Sequence, residues 1–270
     1  MRIIIHLLLL ISHGRALEWN CLRAPLESNE DFLAVREQCT ITVEYLSSHH
    51  ERHTCTIHTL SVTSWPVAYA SNHTATRLRI NACQLLTISQ IPFALPSTLD
   101  ELDLGSNLLS TVIVSSSWPS NLSSLRLDHN AHLVDINLTQ GLLQGRRLTA
   151  LSLRHNHFMQ FVALPSQLTH LDLTDCNLFQ SPVLGSLKSL AKLTHLSLAN
   201  NALVRLPRLH ERVQLESLNL SHNRLISVEG PWLDAPLHTV DLRFNDISSL
   251  DFLKSSKSKL ETRVSDHSGL

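Results

Sequence analysis

One frame, L-x-x-L-x-L-x-x-N-x-L, returns about eight times along this 270-residue chain. The clearest copies are Leu99, Leu102, Leu104, Asn107, Leu109; Leu148, Leu151, Leu153, Asn156, Phe158; Leu193, Leu196, Leu198, Asn201, Leu203; and Leu215, Leu218, Leu220, Asn223, Leu225. Weaker copies run through Leu122–Asn130, Leu168–Leu178 and Leu237–Ile247, and a degenerate first copy holds Ala75, Leu78, Ile80, Cys83 and Leu85. The residues at the asparagine position are Cys83, Asn107, Asn130, Asn156, Cys176, Asn201, Asn223 and Asn245, spaced 20 to 26 residues apart. Repetition at this interval means one supersecondary unit stacked many times.

Within the frame, Leu-x-Leu has period two and predicts a short strand with both leucines on one face. One such strand buries nothing alone. Stacked on its neighbours, it predicts a curved solenoid of about eight repeats in the α/β class. The parallel sheet lies on the concave side, and the convex side is irregular or short-helical. Each fully buried leucine contributes roughly 1.5–3 kcal/mol. A buried asparagine amide must find partners, so the asparagines predict a ladder along the solenoid axis. Cys83 and Cys176 replace two rungs with a small, weakly donating group. Leu95-Pro96-Ser97-Thr98-Leu99 and Leu164-Pro165-Ser166-Gln167-Leu168 predict extended or turning approaches to the next strand. A long amphipathic helix is excluded, because leucines at i, i+3 and i+5 do not share a helical face.

The first sixteen residues read as a signal peptide. Arg2 gives a positive start, Ile3–Ile11 is apolar apart from His6, and Gly14-x-Ala16 fits a cleavage site. That run is too short to span a bilayer, and the polar Lys254–Leu270 is no lipid anchor, so secretion without a membrane anchor is expected. Four N-x-S/T sequons fit this, at Asn72, Asn121, Asn137 and Asn219. Residues 17–70 are expected to cap the first repeat, 71–250 to carry the repeats, and 251–270 to form a C-terminal cap and tail. In the N-terminal cap, Ser28–Asp31 suggests a helix start, Thr40–Tyr45 and Thr54–Val62 a hairpin, and Ser47–His53 the loop between them. Leu250, Phe252, Leu253 and Leu260 suggest a short closing helix, and Ser255–Leu270 a frayed tail.

Five cysteines are present. Cys83 and Cys176 read as buried free thiols in the ladder. That leaves Cys21, Cys39 and Cys55 as disulfide candidates, an odd number. A hairpin would keep Cys39 and Cys55 from facing each other, which leans toward Cys21 as one partner. The leftover cysteine could bond Cys83, stay free, or link two chains as a dimer.

No catalytic constellation, phosphate loop or C-x-x-C pair appears, so no enzyme and no cofactor is expected. His49-His50-Glu51-Arg52-His53 lacks zinc-protease spacing and reads as a solvated loop, so no metal site is expected. With a formal charge of −1, no nucleic-acid partner is indicated. The concave face is the surface suited to binding. Its candidate residues are Arg77, Arg79, Glu101, Asp103, Arg126, His129, Arg154, His155, His170, Asp172, His195, His222, Asp241, Arg243 and Phe244. The chain holds 17 histidines. Several fall on this face, so partner binding is expected to respond to pH between about 5 and 8. Asn219, between Leu218 and Leu220, falls mid-strand on the same face, where a glycan would cover its C-terminal part.

The leader, the cysteine-bearing cap and the irregular 20- to 26-residue repeats resemble extracellular leucine-rich-repeat proteins. Thr76-Arg77-Leu78-Arg79-Ile80-Asn81-Ala82-Cys83 followed by Ile91-Pro92 looks most like the short secreted leucine-rich immune proteins of mosquitoes and other insects. The C-terminal cysteines and coiled-coil heptads typical of that group are absent from this sequence, so its disulfide-linked dimer and complement-like partner are not carried over. The resemblance implies a secreted recognition module in extracellular innate immunity, binding an extracellular protein or a microbial-pattern ligand. An extracellular-matrix, adhesion or developmental binding protein is the alternative, and an enzyme inhibitor a third.

Overall fold

The computed structural model describes residues 39–46, 52–59, 75–87, 95–110, 118–133, 135–137, 147–157, 160–179, 182–228, 235–248 and 261–263. All of them lie in the second of two compact units, Glu37–Leu270. The predicted signal peptide, Cys21, the Ser28–Asp31 helix start, Asn72 and the closing helix around Phe252 lie outside the described residues.

The Leu-x-Leu motifs form strands, as their period requires. They are β3 (Ala75–Asn81), β4 (Glu101–Asp103), β5 (Ser124–Arg126), β7 (Ala150–Ser152), β9 (His170–Asp172), β10 (His195–Ser197), β11 (Ser217–Asn219) and β12 (Thr239–Asp241). Each pairs in parallel with the next, in strict register through the first leucine of the motif: Leu78, Leu102, Leu125, Leu151, Leu171, Leu196, Leu218, Val240. This row and the next, Ile80 through Leu242, are buried in one apolar core. A leucine-to-alanine change in it costs about 2–5 kcal/mol. The fold is therefore a parallel-sheet solenoid with little helix, as the sequence predicts. A 3-10 helix at Pro182–Ser189 is the one helix among the described residues.

The amide ladder is present. Asn156 is fully buried. Its Nδ2 donates to Leu127, Leu153 and Arg154 carbonyls at 3.0, 2.9 and 3.2 Å, and its Oδ1 accepts the Asn130 N–H at 2.8 Å. Asn107, Asn130, Asn201, Asn223 and Asn245 repeat the pattern. To aim the amide inward, the preceding residue turns left-handed at every rung: Ala82, Ser106, His129, His155, Asp175, Asn200, His222 and Phe244 have φ between 54° and 58°. The proline limbs are turns, closed by Leu99 N–H to Pro96 O and Leu168 N–H to Pro165 O, both 3.1 Å. Trp118-Pro119-Ser120-Asn121-Leu122 makes the same turn.

At the first turn, β1 (Cys39–Leu46) and β2 (Arg52–Thr59) form the expected antiparallel hairpin. β1 also pairs antiparallel with β3, so the hairpin continues the sheet. Val43, not Cys39, lies opposite Cys55. Arg52 and His53, expected in the loop, begin β2 instead, because they still pair with Leu46 and Tyr45 of β1.

Three expectations need correction. Cys83 is disulfide-bonded rather than a free thiol. The tail expected to fray over Ser255–Leu270 contains β13 (Glu261–Arg263), which pairs in parallel with β12 and occupies its open edge. Two limbs between repeats, β6 (Asp135–Asn137) and β8 (Gln160–Ala163), make a second small parallel sheet where an irregular or short-helical run is expected. Unpaired strand groups gain hydrogen bonds in both cases.

Candidate binding groove

Small side chains open a groove of about 610 Å³ on the concave face, spanning β4 to β11. Its floor includes Ser124, Ala150, Ser152, Ser197, Ala199 and Ser217. Six predicted binding residues line it: Glu101, Arg126, Arg154, His170, Asp172 and His195. Of the other nine, Arg77, Arg79, Asp103 and Asp241 lie on the same sheet, and His129, His155, His222, Arg243 and Phe244 lie in the turns that follow its strands.

Many of the predicted charges are already engaged by the fold. Arg77 bonds Glu44 Oε2 at 3.2 Å and Glu101 Oε1 at 2.9 Å. Arg243 makes three hydrogen bonds to Asp241 of 2.6–3.1 Å, which push its guanidinium further up. Asp103, Asp172 and Asp241 each accept the N–H two residues on, from Gly105, Thr174 and Arg243, at 2.9–3.1 Å. Asn219 does the same with Ser221. These are Asx turns, and they end the strands. The sequence signal is Asp or Asn at the same place in four of the eight copies of the frame. Arg79 is exposed at the end of the sheet nearest the hairpin.

The left-handed row carries aromatic pairs. His129 and His155 stack at 4.1 Å, and His222 stacks on Phe244 at 4.2 Å. Nδ1 of His155 meets Asp175 Oδ2 at 2.7 Å. Burial first, and then the His155 charge, hold His129 below the usual histidine value. The sequence places these residues correctly after the strand but does not show that they touch.

Inside the groove, His170 and His195 stack at 4.2 Å. Burial, then the His195 charge, lowers His170. Thr169 and Thr194 each meet the following histidine's Nδ1 at 2.9 Å and donate to a backbone carbonyl at 3.1 and 3.0 Å. A hydroxyl has one proton, committed here to the carbonyl, so Nδ1–H donates to the hydroxyl. In the neutral tautomer that this fixes, Nε2 is the acceptor nitrogen.

Sequence reasoning missed Asp128. Its Oδ1 accepts from Ser152 Oγ at 2.6 Å and from Arg154 N–H at 2.9 Å, across two repeats. Nothing local in the sequence marks that contact. Of the sequons, Asn121 is exposed and accepts from Arg147 at 2.8 Å. Asn137 lies in β6. Asn219 ends β11 rather than sitting at its centre, because only three residues keep ladder pairing. Its Oδ1 accepts both the N–H and the hydroxyl of Ser221, its own sequon serine, at 3.1 and 2.8 Å. Among the described residues, no cluster of three or more His, Cys, Asp or Glu could hold a metal ion.

The family described as Leucine Rich Repeat matches residues 214–235. A leucine-rich-repeat protein of Leptospira interrogans shares the fold with a TM-score of 0.53 and 27% identity, over 72% of this chain and 53% of that one. A Shigella effector leucine-rich-repeat domain aligns with a TM-score of 0.48 and 21% identity, over 69% of this chain and 80% of that one. In sequence, 70 residues are 45% identical to U2 small nuclear ribonucleoprotein A' of Candida glabrata. That match spans 26% of this chain and 26% of the relative's length. The fold is thus the leucine-rich-repeat solenoid, an architecture that generally serves as a binding module.

Proposed function

We propose that this protein is a secreted recognition module that binds a protein partner through its concave groove, in extracellular innate immunity. The groove itself carries the reading: small side chains leave room on a rigid sheet, and arginines and histidines border that space. A binding surface on rigid strands loses little conformational entropy when occupied. The disulfide at Cys83 supports an oxidising compartment, as do the leader-like first sixteen residues and the four sequons. The immune role rests on the resemblance to insect leucine-rich immune proteins.

A second reading is an intracellular ribonucleoprotein scaffold. The 70-residue match to U2 small nuclear ribonucleoprotein A' favours it. The two readings differ in compartment, so one experiment separates them. The full chain is expressed in insect cells with its own N-terminus and with a photo-crosslinking residue at Ser197, on the groove floor, or at Arg205, outside it. Secretion and crosslinks to an extracellular protein from Ser197, but not from Arg205, are expected. Nuclear retention with ribonucleoprotein crosslinks would overturn the reading.

A further inference from the structure

We infer that the groove takes an extended peptide segment of its partner, with a carboxylate side chain seated between Arg126 and Arg154. This rests on the concave face being a protein-binding surface, and it adds the chemistry of what binds there.

Four arginines of this face have clear fates. Arg77 and Arg243 are held by hydrogen-bonded carboxylates. Arg126 and Arg154 are not. Each has a carboxylate in ion-pair range, Asp128 at 3.8 Å and Asp172 at 3.7 Å, but neither distance is a hydrogen bond. Each of those carboxylates is engaged through its Oδ1, and only its Oδ2 lies in ion-pair range of the arginine. Asp128 accepts from Ser152 and the Arg154 N–H, and Asp172 accepts from the N–H and hydroxyl of Thr174. Both arginine side chains remain about half exposed, at 50% and 43%. Arg154 Nε is itself shielded from water and has no hydrogen-bond partner. A buried donor without an acceptor is rare and calls for a missing partner. A planar guanidinium favours a bidentate carboxylate.

Both arginines line the groove: Arg126 ends β5 in register with Ser152, and Arg154 lies two residues beyond, in the turn after β7. Strand spacing and rise put their Cα atoms about 8 Å apart, so both forks can reach one carboxylate or two alternate ones. Further along, the hydrogen bonds at Nδ1 of His170 and His195 leave Nε2 of each ring facing away from Thr169 and Thr194 as a polar contact for an extended chain. The groove crosses six strands. At about 4.8 Å per spacing that is roughly 24 Å, the length of about seven extended residues.

A polyanion fits less well. Asp128 and Asp172 lie in ion-pair range of these two arginines and Glu101 lines the same groove, so successive phosphates beyond a first anionic group would meet like charge. Among the described residues, no Phe, Tyr or Trp on which bases could stack lines the groove.

The test uses the full secreted protein and three fluorescein-labelled probes: the peptide Ser-Thr-Val-Glu-Val-Thr-Ser, its glutamine twin, and heptauridylate. Fluorescence anisotropy should show the glutamate peptide binding about tenfold or more tightly than the twin, the scale of one charge-assisted contact. The double variant Arg126→Gln/Arg154→Gln should bring the two peptides to equal affinity. Arg212→Gln, an exposed change outside the groove, should leave the preference intact. Matching thermal midpoints would show that the variants fold. Equal binding of the two peptides, a preference that survives in the double variant, tighter binding of heptauridylate, or no saturation by about 1 mM would each overturn the assignment. If Ser197 crosslinks an extracellular partner while the peptides fail, the ligand chemistry falls and the recognition reading stands.

Discussion

His170 and His195 stack with ring centroids 4.2 Å apart and planes 12° from parallel, because the β9–β10 register sets one directly beside the other. Two such rings are stable neighbours when neutral and repel when both are charged.

This gives a pH dependence with a definite sign. His170 and His129 are both lowered, chiefly by burial and then by the charge of a stacked histidine. Glu216 opposes the shift at His170; Asp128 and Asp175 oppose it at His129, while Arg154 adds to it. A folded value below the unfolded one, about 6.5, means the unfolded chain takes up protons first as pH falls. The stability they contribute is therefore complete above about pH 6.5 and is lost as pH falls from there through the lowered folded values. Thermal unfolding should show a lower midpoint at pH 5.5 than at pH 7.5, and His170→Gln should reduce that difference. A midpoint insensitive to pH over this range would refute the argument.

Asn156→Ala removes one Oδ1 acceptor and an Nδ2 that serves three carbonyls, all in the core. The loss should be about 2–4 kcal/mol, since the abandoned groups stay buried. Urea unfolding should show a lower midpoint with an unchanged slope. A shift under about 0.5 kcal/mol, typical of surface changes, would mean that the ladder does not hold the solenoid.

Cys176 replaces a ladder asparagine by donating its thiol to the Leu153 carbonyl at 3.1 Å and accepting the Asn156 backbone N–H. Burial pushes the thiol up to about 12. Reaction requires the thiolate, so iodoacetamide at pH 8 should leave Cys176 unlabelled in the native protein and label it in urea. Labelling at equal rates in both states would count against this burial.

Backbone register favours Cys39 over Cys55 as the partner of Cys83, with Cys21 outside the described residues. Thr40 is opposite Asn81, so Cys39, one step back, is opposite Ala82 and beside Cys83. Cys55 is opposite Val43, and Val43 is opposite Leu78. That leaves Cys55 two strands away and about 17 Å along the strand axis, beyond the reach of a disulfide. A non-reducing peptide map should link Cys39 to Cys83. A Cys55–Cys83 peptide would contradict the register.

Of the sequons, Asn121 should carry a glycan and Asn219 should not. Asn121 is exposed in a turn. Asn219 is half-buried in the groove, with its Oδ1 engaged by the sequon's own serine. Enzymatic deglycosylation in heavy-oxygen water should mark Asn121 alone of these two. A mark on Asn219 would place a sugar in the groove and exclude a peptide from that end.

The repeat frame by itself determined the strands, both leucine rows of the core, the asparagine ladder and the face on which Arg126, Arg154, His170 and His195 lie. The physical reason is that side-chain direction along a strand depends only on local period. Asp103, Asp172 and Asp241, offered from the sequence as binding residues, are spent instead on Asx turns that end their strands. Only the tertiary structure decided which concave residues touch. Ser152 and Arg154 reach Asp128, His129 meets His155, and Cys83 forms a disulfide through lateral register. That register is set where each buried amide locks its turn against the next, across limbs of unequal length. The same stacking brings Arg77 to Glu101 and leaves the Arg126 and Arg154 side chains without hydrogen bonds to their nearest carboxylates.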